Sequence, residues 1–223
     1  AFNSAVAEGF IDSSPMKAVK PPSIKRETKV RRPFTLDELE KLLLAADPFW
    51  SCLIRLAVFT GLRLGDCIQL DSKNIDLDGG IIHLRIEKTS RTISIPIAES
   101  LHDELKKWVK AKGPLFPLES QKYKDQGSGA FSPVFSSLIV KAGFRGKPSP
   151  DRRDGKGRSR RRVSQELTFH SLRHSFVSLL KSAGATDSIA RELAGHSSLA
   201  VNQEYTHLPI EILKRSIDRI PKI

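Results

Sequence analysis

Between residues 80 and 97 the hydrophobic period of this chain changes, and that change bounds what the rest can fold into. Ile82, Leu84 and Ile86 alternate with His83, Arg85 and Glu87, and Ile93, Ile95 and Ile97 alternate with Ser94 and Pro96. A period of two places successive side chains on opposite faces of a strand. Two such runs around Lys88-Thr89-Ser90-Arg91 predict a single β-hairpin. Everywhere else the spacing is helical. Thr35 followed by Glu38 is a capping-box signature, and Leu36, Leu39, Leu42 and Leu43 give the apolar stripe of the helix it opens. A more apolar helix is expected over 49–60 and stopped by Gly61. Helical spacing returns over 98–112, over 132–142, and from His170 onward with breaks at Gly184, Gly195 and Pro209. Gly113, Pro114 and Pro117 mark one loop, and Gly127 and Gly129 another. The expected fold class is mainly α with a small antiparallel β-sheet (α+β).

With 223 residues, 39% of them hydrophobic, the chain can bury a full core in one domain. Pro15, Pro21 and Pro22 interrupt any early helix. Residues 1–32 therefore read as a helix end plus a linker, and 33–223 as the compact domain. The net charge of +12 is concentrated in two places. The stretch from Lys17 to Arg32, which includes Lys25, Arg26, Lys29, Arg31 and Arg32, has seven basic residues against one Glu. The stretch from Asp151 to Arg162, which includes Arg152, Arg153, Lys156, Arg158, Arg160, Arg161 and Arg162, has seven against two Asp. Two basic arms flanking a near-neutral body point to a polyanion, with double-stranded DNA the expected partner. No apolar run approaches the roughly 20 residues that span a bilayer, so no membrane role is expected. Two cysteines make no disulfide framework, and a reducing cytoplasmic compartment is expected.

Three polar clusters interrupt apolar surroundings: Thr60-Gly61-Leu62-Arg63, His170-Ser171-Leu172-Arg173-His174, and Gly195-His196 followed by Tyr205-Thr206-His207. Taken singly, each has a plain structural explanation: an Arg past a helix end, a helix-end pair, a capping His, a half-buried Tyr. Taken together they supply the parts for phosphoryl transfer to a side-chain hydroxyl. Arg presents a planar fork to phosphate oxygens. His adds donors, and Tyr can form a covalent intermediate. Positions i and i+3 of a helix share a face, so His170 and Arg173 are expected to point together. Only two tyrosines exist, and Tyr123 lies in the polar stretch Gln121-Lys122-Tyr123-Lys124-Asp125.

At these residues the sequence resembles the tyrosine recombinase (phage integrase) family over about Pro33 to Ile217. Thr60-Gly61-Leu62-Arg63 resembles its first arginine motif, His170-x-x-Arg173 its His-x-x-Arg motif, and Gly195-His196 through Tyr205 its Gly-His and tyrosine motif. Asp66 stands where the family more often carries Glu. The resemblance implies the family's catalytic-domain fold, with Arg63, Lys88, His170, Arg173, His196 and Tyr205 as the catalytic set and Tyr205 as nucleophile. Arg63, Arg173 and His196 would hold phosphate oxygens, and His170 would assist proton transfer at Tyr205. The general acid in the hairpin turn is Lys88 or Arg91, both also expected to touch DNA. It implies a 3′-phosphotyrosyl intermediate, no cofactor, no metal and no ATP, and a homotetramer acting on two DNA sites, with accessory DNA-bending proteins as further partners. Such proteins serve integration and mobile genetic elements and sit on the bacterial nucleoid. Residues 1–32 would then be the last helix of a core-binding domain and the interdomain linker. Two other readings stand beside this one: a type IB topoisomerase-like enzyme and a catalytically silent DNA-binding module.

The second basic arm generates a prediction. Its arginines lie in a Gly-containing stretch with no apolar periodicity to fix them against base edges, so their contacts should go to phosphates. Neutralising Arg158, Arg160, Arg161 and Arg162 together should flatten the slope of log affinity against log salt by up to about 3–4, at a slope of roughly −0.9 per phosphate contact. The loss should be equal for all sequences. An unchanged slope in filter-binding titrations would show these residues to be a solvated loop.

Overall fold

A computed structural model describes residues 2–17, 31–86, 91–144, 166–194 and 209–223. A short helix α1 (Phe2–Ala7) buries nothing. The body begins with α2 (Leu36–Ala45), opened as the sequence predicts. Glu38 N donates to the Thr35 hydroxyl at 3.2 Å, and Thr35 N donates to the Glu38 carboxylate at 3.0 Å. Helix α3 (Pro48–Thr60) follows, with Trp50 N donating to the Asp47 cap at 2.8 Å and Pro48 at the first position. Along its length Cys52, Leu53, Ile54, Leu56, Ala57 and Val58 are fully buried. A helix this apolar on all sides belongs at the centre, and its main partner is α8 (Phe169–Ser182). Short α4 (Leu64–Ile68) leads to the sheet.

The sheet has three antiparallel strands in the order β1 (Ile75–Asp76), β2 (Ile81–Ile86) and β3 (Arg91–Pro96). Its register follows from the alternation in the sequence. Ile82 pairs with Ile95 and Leu84 with Ile93 on the core face, while His83 pairs with Ser94 on the other. Both His83 and Ser94 are exposed, and their side chains hydrogen-bond at 3.1 Å.

The remaining helices are α5 (Glu99–Lys106), α6 (Pro117–Gln126), α7 (Ser132–Lys141), α9 (Asp187–Ala194) and α10 (Ile210–Ile217). Two differ from expectation. Helical spacing ran to residue 112, but α5 stops at Lys106 because the chain after it is drawn against 70–72. Lys110 N donates to Ser72 Oγ, Ser72 N to Gly113 O, and Leu115 N to Leu70 O. Helix α6 arises where loop signals were read. Pro117, a loop marker by sequence, is its first residue, and only Ser120 is buried, so no apolar stripe announces it. Aromatic packing ties these elements to the start of α8. Phe135 of α7 meets Phe169 edge-on at 5.3 Å between ring centres, and both rings approach Trp50 of α3.

The end of α3 is the tightest junction. Gly61 has φ +66°, and a Cβ there would run into the ring of Phe176, which is fully buried in α8. Gly61→Ala therefore meets a left-handed conformation and a fixed aromatic at once. The first costs about 1 kcal/mol and overpacking typically 1–3 more. Urea unfolding should show a loss of about 2–4 kcal/mol with little change in m. A loss under 1 kcal/mol would mean that the junction yields.

Candidate active site

The residues around Gly61 and the first turn of α8 enclose a pocket of about 390 Å³. Arg63, the residue before α4, lines it, and so does His170. Arg31 lines it too, from the chain that enters the body ahead of α2. Tyr123, Ser128, Ser132, Ser136 and Thr168 add hydroxyl groups, and no Asp or Glu lines the pocket among the described residues. A concavity with two guanidiniums, an imidazole and five hydroxyls but no carboxylate is built for an anion.

Arg173 takes a different position from its helix neighbour. It does not line the pocket and is only 7% exposed. Its Nη1 donates to the Gly61 carbonyl at 2.6 Å. Burial, and after it the charge on Arg63, push its guanidinium below the ordinary value, while Asp66 partly offsets them. It remains a cation, as Arg does in proteins. Its contact fixes the carbonyl two residues before Arg63 and puts a second positive charge beside Arg63. His170 and Arg173 are thus both brought to the α3–α8 junction, one facing the pocket and one supporting its edge.

His170 is pushed down to about 4, first by burial and then by the charges on His174, Arg31, Arg173 and Arg63. The His174 ring stands nearly perpendicular to it at 4.9 Å. At neutral pH the His170 imidazole is therefore neutral, with one nitrogen free to accept a proton.

Of the other expected site residues, Lys88, His196 and Tyr205 lie outside the described residues. So do Lys25, Arg26 and Lys29 of the first basic arm and Arg152, Arg153, Lys156, Arg158, Arg160, Arg161 and Arg162 of the second. Arg91 begins β3, paired with Ile86. Arg32, expected as a DNA contact, is only partly exposed, and its guanidinium is paired with Glu38 within the protein. Its two terminal nitrogens each meet one Glu38 oxygen at 2.7 Å. The contribution of α6 and α7 to the pocket was not read from the sequence. Tyr123 lies so close over Gly65 that a side chain there would strike it. The small residues of the stretch 128–136 were the only available signal for that wall.

Residues 32–211 match the phage integrase family. The tyrosine recombinase XerC of Pseudomonas aeruginosa (strain LESB58) is 30% identical over 226 residues, covering 98% of this chain and 68% of that protein. XerC of Pseudomonas fluorescens is 27% identical over 217 residues, covering 95% and 67%. Among solved structures, the integrase from mycobacterium phage Brujita superposes with a TM-score of 0.67 at 23% identity, covering 99% of this chain and 68% of that one. A lambda integrase dimer bound to a COC′ core site gives 0.59 at 25%, covering 94% and 71%. A mostly helical domain with a three-stranded antiparallel sheet is thus the catalytic-domain fold of tyrosine recombinases. The chain belongs to the phage integrase family of tyrosine recombinases.

The His170 shift has a sign that can be checked. The native ring takes up a proton only near pH 4, the unfolded chain's near 6.5, so stability is lost as pH falls through that window. His170 is partly exposed and solvent screens it, so the loss is on the order of 1 kcal/mol. Replacing it by Gln should remove that share of the decline between pH 7 and pH 4.5 in urea unfolding. An identical decline in wild type and variant would contradict the shift.

Proposed function

We propose that this domain is a site-specific DNA recombinase that cuts and rejoins strands through a phosphotyrosyl bond on Tyr205. The observation that carries the proposal is the pocket, without a carboxylate among its described residues, in which Arg63 and a neutral His170 meet, with Arg173 fastened behind Arg63. Tyr205 Oη attacks the scissile phosphorus, and the P–O5′ bond breaks. His170 accepts the tyrosine proton. Lys88 or Arg91 gives a proton to the departing 5′-oxygen. Arg63, Arg173 and His196 hold the non-bridging oxygens, where charge accumulates in the transition state. A 5′-hydroxyl from a second strand then reverses the step and frees the tyrosine. Each step exchanges one phosphate ester for another, so no ATP is consumed.

Double-stranded DNA is the substrate, and the enzyme works as a multimer. Family membership and the lambda integrase dimer on its core site support this. The finer reading is a homotetramer on two sites, aided by DNA-bending proteins and acting on the bacterial nucleoid. Residues 1–32 belong to the linker and the end of a core-binding domain. Among the described residues no helix is long and apolar enough to cross a membrane.

The test is covalent trapping on a nicked duplex carrying the chain's own recombination site. Wild type and Tyr123→Phe should form a denaturation-resistant adduct, and Tyr205→Phe should form none while still binding DNA. Tyr123 is the informative control, because it shares the pocket with Arg63 and His170. An adduct that survives at Tyr205→Phe and vanishes at Tyr123→Phe would reverse the assignment. No adduct with any variant would identify a silent binding module.

A further inference from the structure

The chain that enters the body is riveted on both sides of one peptide, and what the rivet holds in place is Arg31. Arg32 N donates to Glu166 O at 3.4 Å. The Arg32 guanidinium grips both oxygens of Glu38 at 2.7 Å, and its Nη1 also donates to Pro33 O at 3.1 Å. Glu38 is itself held by Thr35 N, inside the capping box of α2. Two residues on, Phe34 is buried, and its N donates to Ser175 Oγ of α8 at 2.8 Å. Arg32 is thus held by a carboxylate, whereas Arg31 is exposed, lines the pocket, and is held by no hydrogen bond or ion pair within the fold among the described residues. Adjacent arginines have opposite fates.

We infer that Arg31 is a phosphate-binding residue of the active pocket, and that the Arg32–Glu38 latch exists to place it there. This rests on the reading of the pocket as the cleavage site. It goes further by adding a guanidinium from the entering linker to those of Arg63 and Arg173. Without an anion, Arg31, Arg63 and Arg173 crowd their positive charge around His170, and that charge helps keep the ring neutral. A phosphodiester relieves the repulsion, and Arg31 brings to it a guanidinium from a different part of the chain than Arg63 does. The geometry also makes assembly of the pocket depend on the linker being seated, because an unseated linker takes Arg31 with it.

Inorganic phosphate is the probe, titrated into the full chain at constant ionic strength made up with chloride, with the His170 ring followed by NMR. Wild type should show a saturable shift. Arg31→Gln and Arg63→Gln should each weaken phosphate binding about tenfold, the scale of one lost charge-assisted contact. Glu38→Gln keeps Arg31 but cuts the latch, and should weaken phosphate binding as well. In the phosphate-free protein, Arg31→Gln should also raise the pKa of His170, whose facing groups are otherwise His174, Arg63, Arg173 and Tyr123. An unmoved titration would show that Arg31 does not face His170 across the pocket and would overturn the inference. Loss in Arg63→Gln with an unchanged Arg31→Gln would overturn the inference and leave the pocket reading intact. No saturable phosphate binding in wild type would overturn both.

Discussion

Arg173 donating to the carbonyl of Gly61 is the contact on which the site depends. Burying a guanidinium is costly unless its donors are satisfied. Here the cost is met by a carbonyl at the end of α3, where an intrahelical partner is missing in any case. The bond joins positions 112 apart in sequence, on the two helices that form the centre of the domain. Phe176, one turn further along α8, closes the same junction from the apolar side by occupying the space that a Gly61 side chain would need. The turn that carries Arg63 is therefore fixed by charge, by sterics and by a left-handed backbone together. No single one of these would hold the Arg63 turn to a fraction of an ångström.

Much of the fold could be read from periodicity because the relevant interactions are local. The hairpin register follows from alternating Ile residues, the start of α2 from Thr35 and Glu38, and the end of α3 from Gly61. Helix α6 escaped because it is polar nearly throughout and packs by its position rather than by a stripe. The surplus length expected of α5 was lost to hydrogen bonds with 70–72, which are tertiary and invisible to spacing. For the site, the approach of Arg63 to His170 came from the order of motifs and the family they resemble; no pattern within either motif predicts it. Charge counting treated Arg31 and Arg32 alike, since a run of basic residues contains no information about where the acids will be. The position of Glu38, one turn into α2, is what separates them.

A pocket lined with cations and hydroxyls, and with no acid among its described residues, is poor for stability, because like charges repel across it. Such concentrations persist where function requires them. The surroundings are correspondingly firm. Trp50, Phe135 and Phe169 pack α3, α7 and the first turn of α8 into one aromatic block beside the pocket. The hydroxyl-bearing wall from α6 and α7 closes against that block. Rigid aromatic packing on one side supports the polar side, where like charges gather.

Cys67 sits in α4, four residues past Arg63, with no exposed surface, and burial raises its thiol well above the ordinary value. A protonated and enclosed sulfur is nearly inert to alkylation. It becomes reactive only when α4 lifts from the core. The rate at which a thiol reagent reaches Cys67 is therefore a clock for the opening of the platform that carries Arg63. Cys52, equally enclosed in the middle of α3, keeps time for the core itself. The two sulfurs give this domain built-in reporters of how firmly the Arg63 pocket is held relative to the fold beneath it.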